Sequence, residues 1–114
     1  MRSIRLDAWE FESSCSEETL QLDISRRDSG QYSSLAEFAQ ELGLTWAPEQ
    51  LSVPLGSLSQ WGMVCAHLRE HAQLDLGEGD QSQAWLLQEL EWSEVHLLIS
   101  TDAFFLRYQW FTTA

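Results

Sequence analysis

The sequence predicts an α+β protein in which a mostly antiparallel sheet of about five strands carries two helices on one face, as a two-layer fold. Two observations lead to this prediction. Apolar and polar residues alternate near both ends of the chain, which is the period of a half-buried strand, whereas the middle of the chain has the spacing of amphipathic helices. The predicted order is β-β-α-α-β-β-β, and the 114 residues are predicted to form a single domain, 1–114.

The N-terminal region is predicted to form an antiparallel hairpin. The stretch "SIRLDAWEF", residues 3–11, alternates up to Ala8, and the change of phase between Ala8 and Trp9 predicts a bulge. An acidic loop that contains Cys15 follows. The stretch "TLQLDIS", residues 19–25, then alternates without interruption, which is typical of a strand with one buried face.

The first helix is predicted over residues 35–42. Ser34 and Glu37 have the spacing of a capping box, in which the serine hydroxyl accepts a hydrogen bond from the amide three residues on. The apolar residues that follow recur at helical intervals. Gly43 lies where a glycine commonly ends a helix in the left-handed conformation.

A loop with two prolines, residues 44–57, leads to a second helix predicted over residues 58–72. Apolar residues at helical spacing predict which side of this helix is buried. They are Leu58, Trp61, Val64, Cys65, Leu68 and Ala72. Because Cys65 belongs to this stripe, we predict that it is a small core residue.

The last third of the chain is predicted to form three strands. The stretches "EVHLLIS", residues 94–100, and "FFLRYQWF", residues 104–111, alternate and are joined by a short segment suited to a hairpin turn. The stretch "AWLLQELEW", residues 84–92, fits a strand or a helix, because Ala, Leu, Gln and Glu all favour helices. We favour a strand, since it completes the sheet.

Charge is the strongest signal in the composition. The chain has 18 acidic residues against six basic ones, all of them arginine, and a formal net charge of −12. This charge repels nucleic-acid phosphates and anionic membranes, so neither is expected as a partner. It favours a basic protein partner and speeds the encounter with one. The alternative is that the acidic surface serves solubility alone.

One short motif has the spacing of a zinc site. The stretch "HLREH", residues 67–71, matches H-x-x-E-H, in which two histidines of one helix bind zinc and the glutamate acts as a base. On the predicted helix, however, these side chains lie off the apolar stripe, and a catalytic zinc needs a third protein ligand in a cleft. His67 and His71 are therefore only weak metal candidates. We favour an exposed helix face and expect no cofactor.

Other enzyme motifs are missing from the sequence. It has no glycine-rich phosphate loop, no G-x-S-x-G and no CxxC. Cys15 lies among carboxylates, which disfavour the reactive thiolate. We therefore predict that the protein is not an enzyme, and an enzyme without a recognisable motif is kept as an alternative.

The C-terminal region combines residue types that suit protein binding. The last predicted strand has large aromatic residues on both faces, and one face would stay partly exposed unless the N-terminal hairpin packs there, which we favour. Aromatic anchors edged with carboxylates are typical of a surface that binds a cationic protein. The candidate contact residues are Asp75, Glu78, Asp80, Glu89, Glu91, Glu94 and Asp102, with Trp85 and Trp92 as anchors.

A short, strongly acidic α+β chain without catalytic motifs resembles the immunity proteins of bacterial toxin systems. The resemblance covers the profile of the whole chain and no single motif. It implies that the protein binds a cognate, often basic, toxin and occludes its active site. Acidic secretion chaperones are an alternative, although they typically begin and end with helices, whereas both ends of this chain predict strands. No secretory signal or membrane span is visible, so a cytoplasmic protein is expected.

Overall fold

The computed structural model describes residues 1–7, 17–47, 49–58, 61–76, 82–89, 91 and 93–112. Its strands are β1 Arg2–Asp7, β2 Glu18–Arg26, β3 Ser52–Pro54, β4 Gln83–Leu86, β5 Glu94–Ser100 and β6 Phe104–Thr112. Its helices are α1 Leu35–Glu41 and α2 Trp61–His71, with short 3₁₀ turns at Arg27–Ser29 and Leu55–Ser57. The six strands form one sheet in the order β1-β2-β6-β5-β4-β3, with antiparallel neighbours throughout. The α+β class and the antiparallel sheet are therefore confirmed, with one strand more than predicted.

The N-terminal hairpin lies within the sheet. Leu6 pairs with Leu20 across β1 and β2, as the alternation predicted. β2 then pairs along its whole length with β6, so that Leu22 lies opposite Tyr108. The expectation that the hairpin covers a face of the last strand is therefore wrong, because the hairpin extends the sheet sideways. The predicted bulge at residues 8–9 lies outside the described residues.

The two helices pack on opposite faces of the sheet. Successive strand residues point to opposite sides, and in β6 Tyr108 contacts α2 through Trp61, with ring centroids 6.3 Å apart. Phe105 points the other way and contacts Phe38 of α1 at 6.0 Å. The prediction of two layers with both helices on one face is wrong for this reason. A sheet that is apolar on both faces has to be covered on both.

Each helix has its own hydrophobic core. The larger core lies between α2 and the sheet and contains Trp61, Val64 and Leu68. Cys65 belongs to it and is buried, as predicted. The smaller core joins α1 to the neighbouring part of the sheet around Phe38, which has no exposed surface.

The ends of α1 confirm the predicted capping. The hydroxyl of Ser34 accepts a hydrogen bond from the N–H of Glu37 at 3.2 Å. The Glu37 carboxylate in turn accepts one from the N–H of Ser33 at 2.8 Å, which lowers the pKa of Glu37. Gly43 has φ 72°, a conformation that glycine adopts without a steric penalty. α2 is shorter than predicted, because Leu58 closes a 3₁₀ turn onto Leu55.

The edge strand on the side of the sheet opposite β1 was not predicted. β3 has only three residues, falls within the predicted loop and pairs with β4. β4 confirms the choice of a strand over a helix for its part of residues 84–92, but it ends at Leu86. Among the described residues, no helix is long and apolar enough to span a membrane.

Candidate binding surface at the acidic end of the sheet

The register of the sheet gathers carboxylates from distant parts of the chain. β1 and β4 end where β2 and β5 begin, so that Asp7 lies opposite Thr19 and Glu94 lies opposite Phe111. The segment before β5 stays close, since the N–H of Glu91 donates to the carbonyl of Glu94 at 3.2 Å. We call this region the acidic end of the sheet. It comprises Asp7, Glu17, Glu18, Glu49, Glu89, Glu91 and Glu94.

Three of the acids predicted as contact residues belong to the acidic end. Glu89 and Glu91 are exposed, and Glu94 is half-buried. The other two described acids lie elsewhere. Asp102 is in the turn between β5 and β6, at the opposite end of the sheet, and Asp75 follows α2, where it lies 3.8 Å from Arg69. The structure therefore splits the predicted surface, and of its described acids Glu89, Glu91 and Glu94 lie at the same end.

The predicted aromatic anchors are placed differently. Trp85 is half-buried on the α1 side of β4, where its ring meets Trp46 edge to face at a centroid distance of 5.5 Å. Trp85 and Trp46 both pack against the smaller core. Glu78, Asp80 and Trp92 lie outside the described residues.

Four residues of the acidic end were not predicted as contact residues. They are Asp7, Glu17, Glu18 and Glu49. Each lies at or just before a strand terminus, and only the order of the strands in the sheet brings them to the same end. The alternation of the strands was visible in the sequence, but the order of the strands in the sheet was not.

The arginines at the opposite end of the sheet are engaged in structural contacts. Arg26 pairs with Asp28, with 3.0 Å between Nε and Oδ1. Arg27 lies over the ring of Phe105, 5.0 Å from its centroid, and donates to the carbonyl of Thr101 at 2.8 Å. Arg2 donates to the carbonyl of Ala72. Among the described residues, seven carboxylates thus lie at one end of the strands, whereas at the other end three arginines lie together with Asp28 and Asp102.

Glu18, at the acidic end, is half-buried. Its Oε2 is inaccessible and has no hydrogen-bond partner. Burial raises the pKa of Glu18, because a carboxylate loses hydration when it ionises there. The indole Nε1 of Trp110 is also buried without a partner, on the same face of the sheet and diagonal to Glu18 in the register. This corner of the sheet therefore has two buried polar atoms without hydrogen-bond partners, Oε2 of Glu18 and Nε1 of Trp110.

A surface hollow of about 390 Å³ adjoins the acidic end beside Glu89. Its walls are largely aliphatic. They are formed by Gln50, Leu51, Leu86, Leu87, Gln88 and Glu89. Leu51 is 71% exposed there and contributes apolar surface to the hollow.

Hydrogen bonds fix the shape of the hollow. The side chain of Gln50 accepts from the N–H of Ala47 at 2.6 Å and donates to the carbonyl of Leu86 at 3.0 Å. The N–H of Leu86 donates in turn to the carbonyl of Leu51 at 2.8 Å. The segment that precedes β3 is thereby tied to the end of β4, and the hollow is built by backbone contacts as well as side chains.

A second polar cluster lies in the middle of the sheet, on the face that α1 covers in part. Arg107 donates from Nε to Nε2 of His96 at 2.9 Å and lies 3.6 Å from Asp23. Gln109 donates to Glu94 at 3.0 Å, which links this cluster to the acidic end. Burial and the charge of Arg107 lower the pKa of His96, and Glu94 opposes them. Most of the polar side chains in this cluster therefore have hydrogen-bond or ion-pair partners within it.

The "HLREH" motif forms a surface pair on α2. The rings of His67 and His71 lie 4.6 Å apart, and Nε2 of His71 is 3.8 Å from the exposed carboxylate of Glu70. No group of three or more potential ligands occurs among the residues that the structure describes. The second cysteine, Cys15, lies outside them.

Comparisons with protein-family models, curated proteins and solved structures found no match to this chain.

Proposed function

We propose that the protein binds a cationic protein and occludes it, in the manner of an immunity protein that neutralises a bacterial toxin. The observation that carries this proposal is the acidic end of the sheet, which gathers seven carboxylates and adjoins the hollow beside Glu89. An apolar centre with a charged rim is the usual composition of a protein interface. The negative charge of the carboxylates favours a basic partner and speeds the encounter with it.

The segregation of charge supports this proposal over the alternative that the acids serve solubility alone. Solubility depends on the total charge and is indifferent to where the acids lie. Here, among the described residues, the acidic end has seven carboxylates, whereas at the other end three arginines outnumber Asp28 and Asp102. Such an asymmetry orients an approaching cationic protein toward the acidic end.

The test compares two double variants with the same change of net charge. Glu89→Lys with Glu91→Lys alters the acidic end, and Asp75→Lys with Asp102→Lys alters sites elsewhere. The partner for this test is selected as a neighbouring gene product whose expression alone arrests growth. We expect the first variant to lower the association rate constant about tenfold at low salt and to flatten its salt dependence, and the second to change both much less.

Protection of growth is measured in parallel. Co-expression of the unaltered chain is expected to restore growth, and the Glu89→Lys, Glu91→Lys variant is expected to protect less. Equal effects of the two double variants would refute the acidic end as the interface. A partner that is bound only while unfolded, with no loss of its activity, would favour the alternative of a secretion chaperone.

A further inference from the structure

The hollow beside Glu89 has a composition that discriminates among possible occupants. Three leucines form most of its wall, and the Glu89 carboxylate and the amides of Gln50 and Gln88 lie at its border. None of the described residues that line it is cationic. Its volume of about 390 Å³ is within the range of sites that hold small ligands or single side chains.

The carboxylates near the hollow exclude an anionic occupant. A purely apolar occupant would make no interaction with the polar groups at the border of the hollow. An anionic group would face Glu89 and the other carboxylates of the acidic end. An aliphatic side chain would cover Leu51, Leu86 and Leu87 but would leave the Glu89 carboxylate without a partner. A long cationic side chain satisfies both features, because its methylene stem packs on apolar surface while its charged group stays at the border.

We propose that the hollow receives an arginine side chain of the cationic partner, an inference that rests on the binding function proposed above. Arginine fits better than lysine because the lining offers the Glu89 carboxylate and the side-chain amide of Gln88 as acceptors, whereas the amide oxygen of Gln50 already accepts the N–H of Ala47. A planar guanidinium has five donors and bonds to a carboxylate in bidentate fashion, whereas an ammonium is a strongly hydrated point charge.

The hollow has a shape that hydrogen bonds within the chain already fix. The two hydrogen bonds of the Gln50 amide and the bond from Leu86 to Leu51 hold the walls through contacts within the chain itself. Binding then requires little ordering of the protein, which lowers its entropic cost. In a complex, an arginine here would occupy the desolvated centre of the interface, the position in which arginine commonly contributes most to affinity.

The experiment uses the whole chain and the probe N-acetyl-arginine amide, with N-acetyl-lysine amide for comparison. Leucine methyl groups are observed by NMR during titration. We expect saturable shifts at Leu51, Leu86 and Leu87 with a Kd on the order of 1 mM for the arginine probe and weaker binding of the lysine probe. The assay needs no knowledge of the natural partner.

Two variants separate the hollow from the general acidity of the surface. Glu89→Gln removes the carboxylate of the hollow, and we expect it to weaken binding of the arginine probe about threefold to fivefold. Glu49→Gln removes the same charge from an exposed residue of the acidic end that does not line the hollow. It is expected to change the Kd by less than about 1.5-fold.

Absence of shifts at the three leucines, or equal weakening by the two variants, would overturn the proposal. The functional proposal fails separately, in the comparison of the charge-reversed double variants. If those variants slow association but the leucine methyl groups do not respond, the acidic end binds the partner without an arginine in the hollow. If the methyl groups respond but no cationic protein is inhibited, the hollow is an arginine site in a protein with another function.

Discussion

Arg107 Nε donates a hydrogen bond to His96 Nε2 over 2.9 Å, so that a guanidinium and an imidazole lie side by side on neighbouring strands. The imidazole accepts this bond at Nε2 only when it is neutral, with its proton on Nδ1. Asp23 holds Arg107 from the other side at 3.6 Å, and Gln109 connects the cluster to Glu94. The contact therefore makes the local structure sensitive to protonation of His96.

We expect His96 to titrate below the ordinary value of 6.5, because burial and Arg107 lower its pKa. Following its ring protons by NMR gives the midpoint directly. Glu94→Gln removes the carboxylate that raises this pKa, so it is expected to lower the midpoint further. Arg107→Gln removes a repelling cation and is expected to raise it. Identical midpoints in the three proteins would rule out the proposed coupling.

The same shift has a consequence for stability. Between the lowered pKa of His96 in the folded protein and 6.5, the unfolded chain binds more protons than the folded chain. The free energy of unfolding therefore decreases as the pH falls through this window and levels off below it. His96→Gln, whose amide oxygen can accept the bond from Arg107, is expected to remove this part of the acid sensitivity. Urea denaturation at pH 7.5 and at pH 5.5 measures the difference.

Glu18 is expected to contribute to the pH dependence with the opposite sign. Burial raises the pKa of Glu18 above 4.5, so the folded chain binds more protons than the unfolded chain in the window above that value. The free energy of unfolding then decreases as the pH rises through the window. At pH 7, Glu18→Gln is expected to stabilise the fold by about 0.5 kcal/mol, since it replaces an incompletely hydrated charge with a neutral group.

The control for this variant is Glu17→Gln, which removes the same charge from the neighbouring, exposed side chain. Denaturation curves of the two variants are compared at pH 7 and below 4.5. We expect the excess stability of Glu18→Gln over Glu17→Gln to shrink on acidification, as Glu18 of the parent chain becomes protonated. A constant excess at both pH values would assign the effect to packing and not to charge.

Every strand except β3, together with α1, could be predicted from the sequence because the signals are local. The alternation of residues 19–25 and the pairing of Ser34 with Glu37 each depend on neighbours within a few positions. The opposite placement of the helices also had a signal, in the adjacent Phe104 and Phe105. Both are buried, on opposite faces. The prediction was wrong because a two-layer fold leaves one of these faces uncovered.

The candidate site depends on information that is not local. Glu17 and Glu91 reach the same end of the sheet only because β2 pairs with β6 and β6 pairs with β5. No alternation pattern within β2 specifies that neighbour. The hollow additionally requires β3, whose three residues are too few to produce a detectable period. Thus Glu89, Glu91 and Glu94 could be predicted as members of a surface, but the rest of that surface could not.

The two separate cores predict which substitutions are energetically coupled. Phe38 contacts Phe105 on one face of the sheet, and Trp61 contacts Tyr108 on the other. Phe38→Leu and Phe105→Leu are each expected to cost about 1–2 kcal/mol, with a coupling of at least about 0.5 kcal/mol in the double variant. Phe38→Leu and Trp61→Phe are expected to add within about 0.5 kcal/mol, because the sheet separates them. Coupling of equal size in both cycles would contradict the placement of the helices on opposite faces.

The cap of α1 is expected to matter for the smaller core as a whole, because this helix is only seven residues long and covers Phe105. Ser34→Ala removes the acceptor for the N–H of Glu37 and is expected to lower the free energy of unfolding by about 1 kcal/mol. Ser34→Asp keeps an acceptor at the same position and is expected to retain most of that stability. Urea denaturation with an unchanged m-value measures both variants. An equal loss in the two would mean that the Ser34 side chain stabilises the fold by some contact other than the cap.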